Sequence, residues 1–261
     1  MIHLYEQIDR FHLLDIKNAT HPSMFVEESN YDILILALPT SRDKELKIDS
    51  YAFVFDGTSC YWYDKNVQEF IDFKTMEKVY ELLNEKTNIA MKMLTSLHES
   101  IDWMEEQLYD NAQLSSFMRY WLNTKKDLSR INRLLTLCVE VLESFIQSYL
   151  KEEDFLAIHF KDIHEHLSRT NRSSLLAIDK LNNLYNFYTS RNNERMNKTI
   201  YLLTIFSGIF LPLNLIVGYF GMNTHGLPLD GISNGSTIVS FLLGSCAMLM
   251  AGAILYFGKK V

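Results

Sequence analysis

The sequence predicts an α/β N-terminal domain that continues into a long α-helical stalk and ends in two transmembrane helices. Three observations carry that reading. Short apolar and aromatic runs, bounded by turn residues, occupy residues 1–73. From Lys74 to Lys198 there is neither Pro nor Gly, the two residues that most often end helices. From Thr199 to Leu229, and again from Gly231 to Gly258, there is no Asp, Glu, Lys or Arg. The expected domains are an α/β subdomain over 1–73, a long-helix stalk over 74–198 and a two-helix membrane domain over 199–261.

The elements follow in order. Ile33–Leu38 is an apolar run ahead of Pro39, which suits a buried strand stopped by the proline. Tyr51–Phe55 and Cys60–Tyr63 are aromatic and β-rich, and Asp56-Gly57-Thr58-Ser59 between them reads as the turn of a hairpin. A few helical turns accompany these strands. Beyond Lys74 apolar residues recur at three- and four-residue steps, as Val79, Leu82, Leu83, then Met93, Leu94, Leu97, Ile101, Met104 and Leu108. A second set runs Leu128, Ile131, Leu134, Leu135, Cys138, Val141, Leu142, Phe145. This spacing predicts three long helices, with breaks near Asp110–Gln113 and Tyr149–Asp154. The last has no stop before Phe220, which at 1.5 Å per residue gives a rod on the order of 100 Å.

Membrane helices are expected at about Ile200–Phe220 and Ile238–Phe257. Each supplies the ~20 apolar residues needed to cross a ~30 Å hydrocarbon layer. Arg191, Arg195 and Lys198 precede the first, Lys259 and Lys260 follow the second, and the loop between has neither Lys nor Arg. The positive-inside rule therefore places both termini in the cytosol and the loop outside. Met1–Glu6 lacks the basic start and apolar core of a signal peptide, which agrees with a cytosolic soluble part.

The chain has 25 basic and 32 acidic residues, a net of −7, and no basic footprint for nucleic acid. Cys60, Cys138 and Cys246 lie far apart, so three free thiols are expected. No phosphate-binding glycine loop, nucleophile elbow or catalytic carboxylate pair is present, so the chain does not read as an enzyme.

Within the first membrane helix Asn197, Thr204, Ser207, Leu211, Asn214 and Gly218 fall on one face, with Ile205, Ile209, Leu213, Ile216 and Phe220 opposite. Oxygen-bearing side chains avoid lipid, so the stripe faces either water or another helix; periodicity alone leaves both open.

The helix closes on Gly221-Met222-Asn223, and this tripeptide, followed by a short loop and one last helix, resembles the CorA family of divalent-cation channels and transporters. The likeness runs upstream through Asn197, Leu203-Thr204-Ile205, Phe210–Leu213 and Gly218. Phe160-Lys161-Asp162-Ile163-His164-Glu165-His166 is similar to the family's Phe-Arg-Asp-Val-x-Asp-His signature. The resemblance implies a funnel-shaped homopentamer in a bacterial or archaeal cytoplasmic membrane, with the first membrane helix innermost. Gly221, Met222 and Asn223 then form the selectivity filter. Asn197, Ile200, Leu203, Thr204, Ser207, Leu211, Asn214 and Gly218 line the pore, with Ile200, Leu203 and Leu211 as apolar constrictions that close by dewetting.

No permanently bound cofactor is implied. A divalent metal ion is the cargo and a candidate regulator, and the partners are further copies of the chain and membrane lipid. A path of amide and hydroxyl oxygens suits hydrated Mg²⁺, which gives up water reluctantly. Zn²⁺, Co²⁺ and Ni²⁺ stay open as cargo. The loop Thr224-His225-Gly226-Leu227-Pro228-Leu229-Asp230 departs from the Met-Pro-Glu-Leu loop of many magnesium carriers and is closer to the zinc-transporting, ZntB-like branch. Asp230 is its sole acid, and His225 is either solvated or a transition-metal contact.

Asp162 matches a family position that helps bind a regulatory ion. The alternatives are a structural pair with His166, or a zinc-type site with His159 and His166 on one helix face. Two other functions fit the same scaffold: a proton-coupled zinc transporter, and a membrane-anchored sensor that conducts nothing.

Overall fold

Alternating side chains build a five-stranded sheet with helices on both faces. The computed structural model describes residues 2–42, 45–109, 116–222, 228 and 233–258. The strands β1 (Met24–Glu27), β2 (Asp32–Arg42), β3 (Glu45–Phe55), β4 (Cys60–Asp64) and β5 (Glu69–Asp72) form an antiparallel meander in chain order. Because successive residues of a strand point to opposite faces, the buried run of β2 divides its side chains between two cores. Ile33 and Ile35 join Ala52, Val54, Tyr63 and Phe70 on one face, covered by Leu4 of α1 (Ile2–Gln7), Ile16 of α2 (Arg10–Lys17) and Ile8 between them. Leu34, Leu36 and Leu38 join Phe53 and Phe55 on the other.

That second face packs on the long helices α3 (Met76–Tyr109), α4 (Phe117–Tyr149) and the start of α5 (Ala157–Phe220). Val79 and Leu83 reach it from α3, Ile131, Leu135, Cys138, Leu142 and Phe145 from α4, and Phe160, Ile163 and Leu167 from α5. The α3 and α4 members belong to the series whose three- and four-step spacing predicts helices. The expected hairpin is present, with Phe55 opposite Cys60. Asp56 closes its turn by accepting from the Thr58 and Ser59 backbone N–H groups, and Gly57 takes φ +78° there.

Two expectations need correction. Pro39 does not stop β2, which pairs with β3 through Arg42. The Ala37 N–H points away from β3 and donates to Ser23 Oγ at 2.9 Å. Pro39, two residues on, has its nitrogen on that same side, beyond the end of β1, so no ladder bond is lost. The last long helix begins at Ala157 rather than about Asp154. The expected break near Asp110–Gln113 falls outside the described residues, between α3 and α4.

The chain divides into two compact units, Met1–Asn186 and Phe187–Val261. The second holds the C-terminal part of α5 and the helix α6 (Gly235–Gly258). The 64-residue helix α5 is, among the described residues, the one helix long and apolar enough to cross a membrane, and its apolar window is wholly unburied. The 24 residues of α6 are apolar as well and carry no charge.

Candidate functional site

The apolar part of α5 has two unlike faces. Ile205, Ile209, Leu213, Ile216 and Phe220 are half-buried, and α6 half-buries Val239, Leu243, Cys246, Ala247 and Met250 on a seam of the same period. The two seams share the period that two packed helices would show. Thr204, Ser207, Leu211, Asn214 and Gly218 are exposed, as are Asn197, Ile200 and Leu203 toward the start of the segment. The stripe is therefore not consumed by contact within the chain.

The Thr204 hydroxyl donates to the Ile200 carbonyl at 2.9 Å, which satisfies its hydrogen and leaves the oxygen lone pairs outward. Pro212 lies inside the helix and has no N–H to offer the Gly208 carbonyl one turn back. Gly208 follows Thr204 by four residues and precedes Leu211 by three, and nothing stands within 4 Å of where its Cβ would be. The Gly208 carbonyl thus lacks its regular helical partner. Sequence reasoning passed over it, although the Pro four residues after a Gly was its signal.

Gly221 is explained by space. A Cβ there would meet the Val217 carbonyl oxygen at 2.9 Å, and the Gly221 N–H donates to that same oxygen at 2.8 Å. Any larger residue would push the chain off the close turn that ends the helix. Met222 is exposed at 48%. Asn223, His225 and Asp230 lie outside the described residues.

The Phe160–His166 segment divides by face. Phe160 and Ile163 are fully buried in the core under the sheet. Lys161, Asp162 and Glu165 are exposed. Asp162 Oδ2 lies 3.4 Å from His166 Nε2, one turn apart on α5. His164 Nε2 lies 3.4 Å from Glu143 Oε2 of α4. His159 instead stands edge-on to the Tyr80 ring, centroids 4.9 Å apart. The three residues proposed for a zinc-type site are therefore not gathered within one chain, and among the described residues no group of three His, Cys, Asp or Glu could hold a metal.

The three cysteines are free, Cys60 and Cys138 buried and Cys246 half-buried. Burial pushes the Cys60 thiol up to about 12, with the Asp56 and Asp72 carboxylates adding to it. Burial does the same to Cys138, also to about 12, so neither is a thiolate ligand or nucleophile at neutral pH. Tyr149 is raised by burial and by donating to Asp32 Oδ2 at 2.6 Å, a bond between residues 117 apart that no motif announced.

A helix-covered sheet domain, whose last helix carries a membrane-length apolar segment with an unclaimed oxygen-bearing face, defines the class. The profile described as CorA-like Mg²⁺ transporter protein matches residues 71–260, and the chain belongs to that family. The cobalt/magnesium transport protein CorA of Thermotoga maritima is 25% identical over 184 residues, covering 70% of this chain and 51% of its own length. The divalent cation transporter CmaX of Pseudomonas aeruginosa is 25% identical over 174 residues, covering 66% and 52%. The chain thus spans about half the length of these curated relatives. Among solved structures, the complete CorA magnesium transporter of Methanocaldococcus jannaschii superposes with a TM-score of 0.80, at 19% identity, over 97% of this chain and 84% of that one. That likeness shows the sheet domain and the long helix to be the fold of those proteins.

Proposed function

We propose that this chain is one subunit of a funnel-shaped homopentamer that carries divalent cations, Mg²⁺ first, across a bacterial or archaeal cytoplasmic membrane. The observation that carries the reading is the division of faces on α5. A seam from Ile205 to Phe220 is half-buried within the chain, while Thr204, Ser207 and Asn214 are exposed along with the apolar residues beside them, and the Gly208 carbonyl lacks its regular N–H partner. In hydrocarbon such oxygens are costly, and several copies around an axis would turn them onto water. A single two-helix chain cannot enclose that path, which is why further copies are needed. The names of the relatives, cobalt/magnesium and divalent cation transporters, support the cargo class.

Both α5 and α6 then span the membrane with the termini in the cytosol, and lipid faces the outer helix. Gly221-Met222-Asn223 lies at the outer mouth, where an amide ring contacts a hydrated ion without stripping it. Ile200, Leu203 and Leu211, all exposed, supply the apolar constrictions. Asp230 and His225 would meet cations in the outer loop, the acid by attraction. Asp162 is the regulatory position, facing a neighbouring copy.

The test is uptake of Mg²⁺, Zn²⁺, Co²⁺ and Ni²⁺ by purified protein in vesicles, with and without a pH gradient. Asn223→Ala is expected to abolish flux while the oligomer keeps its size. Undiminished flux in a correctly assembled Asn223→Ala protein would count against the filter. A strict need for a pH gradient would replace passive conduction by proton coupling.

A further inference from the structure

A cleft of about 350 Å³ opens between α3 and α4, within the first unit. Two aromatic rings form its corner. Trp103 and Tyr120, 43% and 46% exposed, stand at 75° to one another with centroids 5.5 Å apart. Rings at that angle each offer a face to the space between them, and the face is the negative side of the ring quadrupole. Glu99 lies one turn before Trp103 on the same side of α3 and adds a full negative charge. The lining contains no Lys, Arg or His.

The oxygens around this corner are free to accept. The Ser100 hydroxyl donates to the Ser96 carbonyl at 2.9 Å, which leaves its lone pairs for a ligand. Thr124 is only 8% exposed, yet among the described residues its hydroxyl has no hydrogen-bond partner. A buried hydroxyl left unpaired is costly, and one that borders a cleft is satisfied by what occupies it. Glu99 likewise has no ion pair among the described residues. Two cations of the same helical layer are engaged elsewhere, Lys180 on Asp102 and Glu105, and Lys125 on Asn182 and the Trp121 ring. Trp121 itself, next to Tyr120 in sequence, turns to α5 and donates to the Leu181 carbonyl at 2.9 Å.

We infer that this cleft is a binding site for a primary alkylammonium cation. Its nitrogen sits between Glu99, Ser100 and Thr124 and donates to them, the charge lies against the Trp103 and Tyr120 faces, and the alkyl chain covers the buried Met104. Other cations fit less well. A quaternary ammonium suits the rings but has no N–H for the hydroxyls. A divalent metal ion asks for six or more oxygens, and one carboxylate with two hydroxyls does not supply them. The site stands whether or not the chain conducts.

The experiment is calorimetric titration of the full chain in nanodiscs with butylammonium chloride, against matched sodium chloride, and with tetramethylammonium and Mg²⁺ in parallel. Butylammonium is expected to bind saturably and more tightly than either. Glu99→Gln should weaken it ~10-fold, the size of one charge-assisted hydrogen bond, and Trp103→Leu ~3-fold. Thr124→Val should weaken it and Thr124→Ser should restore it. Discs made with and without phosphatidylethanolamine, whose headgroup carries the same ammonium, separate the two sources: competition assigns the ligand to lipid, equal affinity to a soluble amine, and both support the site.

No saturable binding of butylammonium overturns the proposal, as does equal affinity for tetramethylammonium or Mg²⁺. Unchanged affinity in Glu99→Gln, an exposed position whose substitution leaves the core intact, overturns it too. A changed oligomer size in Trp103→Leu would make the corner a contact between copies and not a ligand site.

Discussion

Cys138 and Cys60 sit in the same core cluster, and burial holds both thiols near 12 against an ordinary value of about 8.5. Below about pH 8.5 folded and unfolded chains both keep these protons, and the stabilisation is fully present. As pH rises from about 8.5 toward 12 the unfolded chain releases them first, so stability falls. Lys65 acts the other way. Burial lowers its ammonium to about 8, with Asp49 opposing the shift, so the folded state releases that proton first and stability rises up to the usual lysine range. Two buried thiols and the raised Tyr149 outweigh one amine. The unfolding midpoint, followed by circular dichroism on the full chain, is expected to drop between about pH 8.5 and 11. Cys138→Ala should make that slope shallower whatever its offset at neutral pH; an identical slope would refute the assignment. Cysteine spacing told that these thiols are unpaired, but not that they are inert. Inertness comes from neighbours on other elements.

At the scale of elements, Phe145 is where β1, β3, α4 and the entry to α5 converge. Its ring lies 5.5 Å from Phe25, 5.4 Å from Phe55, 5.7 Å from Phe155 and 5.6 Å from Phe160, centroid to centroid. Truncation leaves a cavity bounded by four elements that cannot all close in, so Phe145→Ala is expected to cost about 3–5 kcal/mol in urea unfolding. Leu176→Ala, on an exposed face of α5, should stay within about 0.5 kcal/mol. The long helices were legible because neither Pro nor Gly interrupts them and their apolar spacing repeats over many turns. The short helices α1 and α2 were not, since among the described residues only Leu4 and Ile16 are buried on them, too few to show a period. Asp9, whose carboxylate caps α2 by accepting from the Phe11 N–H at 2.7 Å, was the readable trace. Polar contacts between helices were invisible in the same way. Asn132 donates to Asn171 and Ser174 at 2.8 and 3.0 Å, fixing the register of α4 on α5, yet nothing in either segment names its partner.

For the whole molecule, the exposed Asp162, paired with the half-buried His166, and the exposed stripe of α5 are the two surfaces that the proposed assembly would use. Under the proposed assembly Asp162 meets a neighbouring copy, where a cation held between carboxylates favours the closed state. Asp162→Ala should then weaken inhibition of uptake by internal Mg²⁺, whereas His166→Asn, which removes only the intrachain partner, should leave it in place. Superimposable inhibition curves for native and Asp162→Ala protein would return the residue to a purely structural role. Composition and periodicity are local properties, and they sufficed for the uncharged segments, the unbroken run of α5, the two-sided pattern of its apolar part and the family tripeptide. Adjacency between distant residues had to come from the fold. It placed the Pro39 nitrogen beyond the end of β1, set Tyr149 on Asp32 and Trp121 on Leu181, and turned His159 away from Asp162 toward Tyr80. Those outcomes depend on which surfaces the packed core brings together, and no residue carries that information in its immediate neighbours.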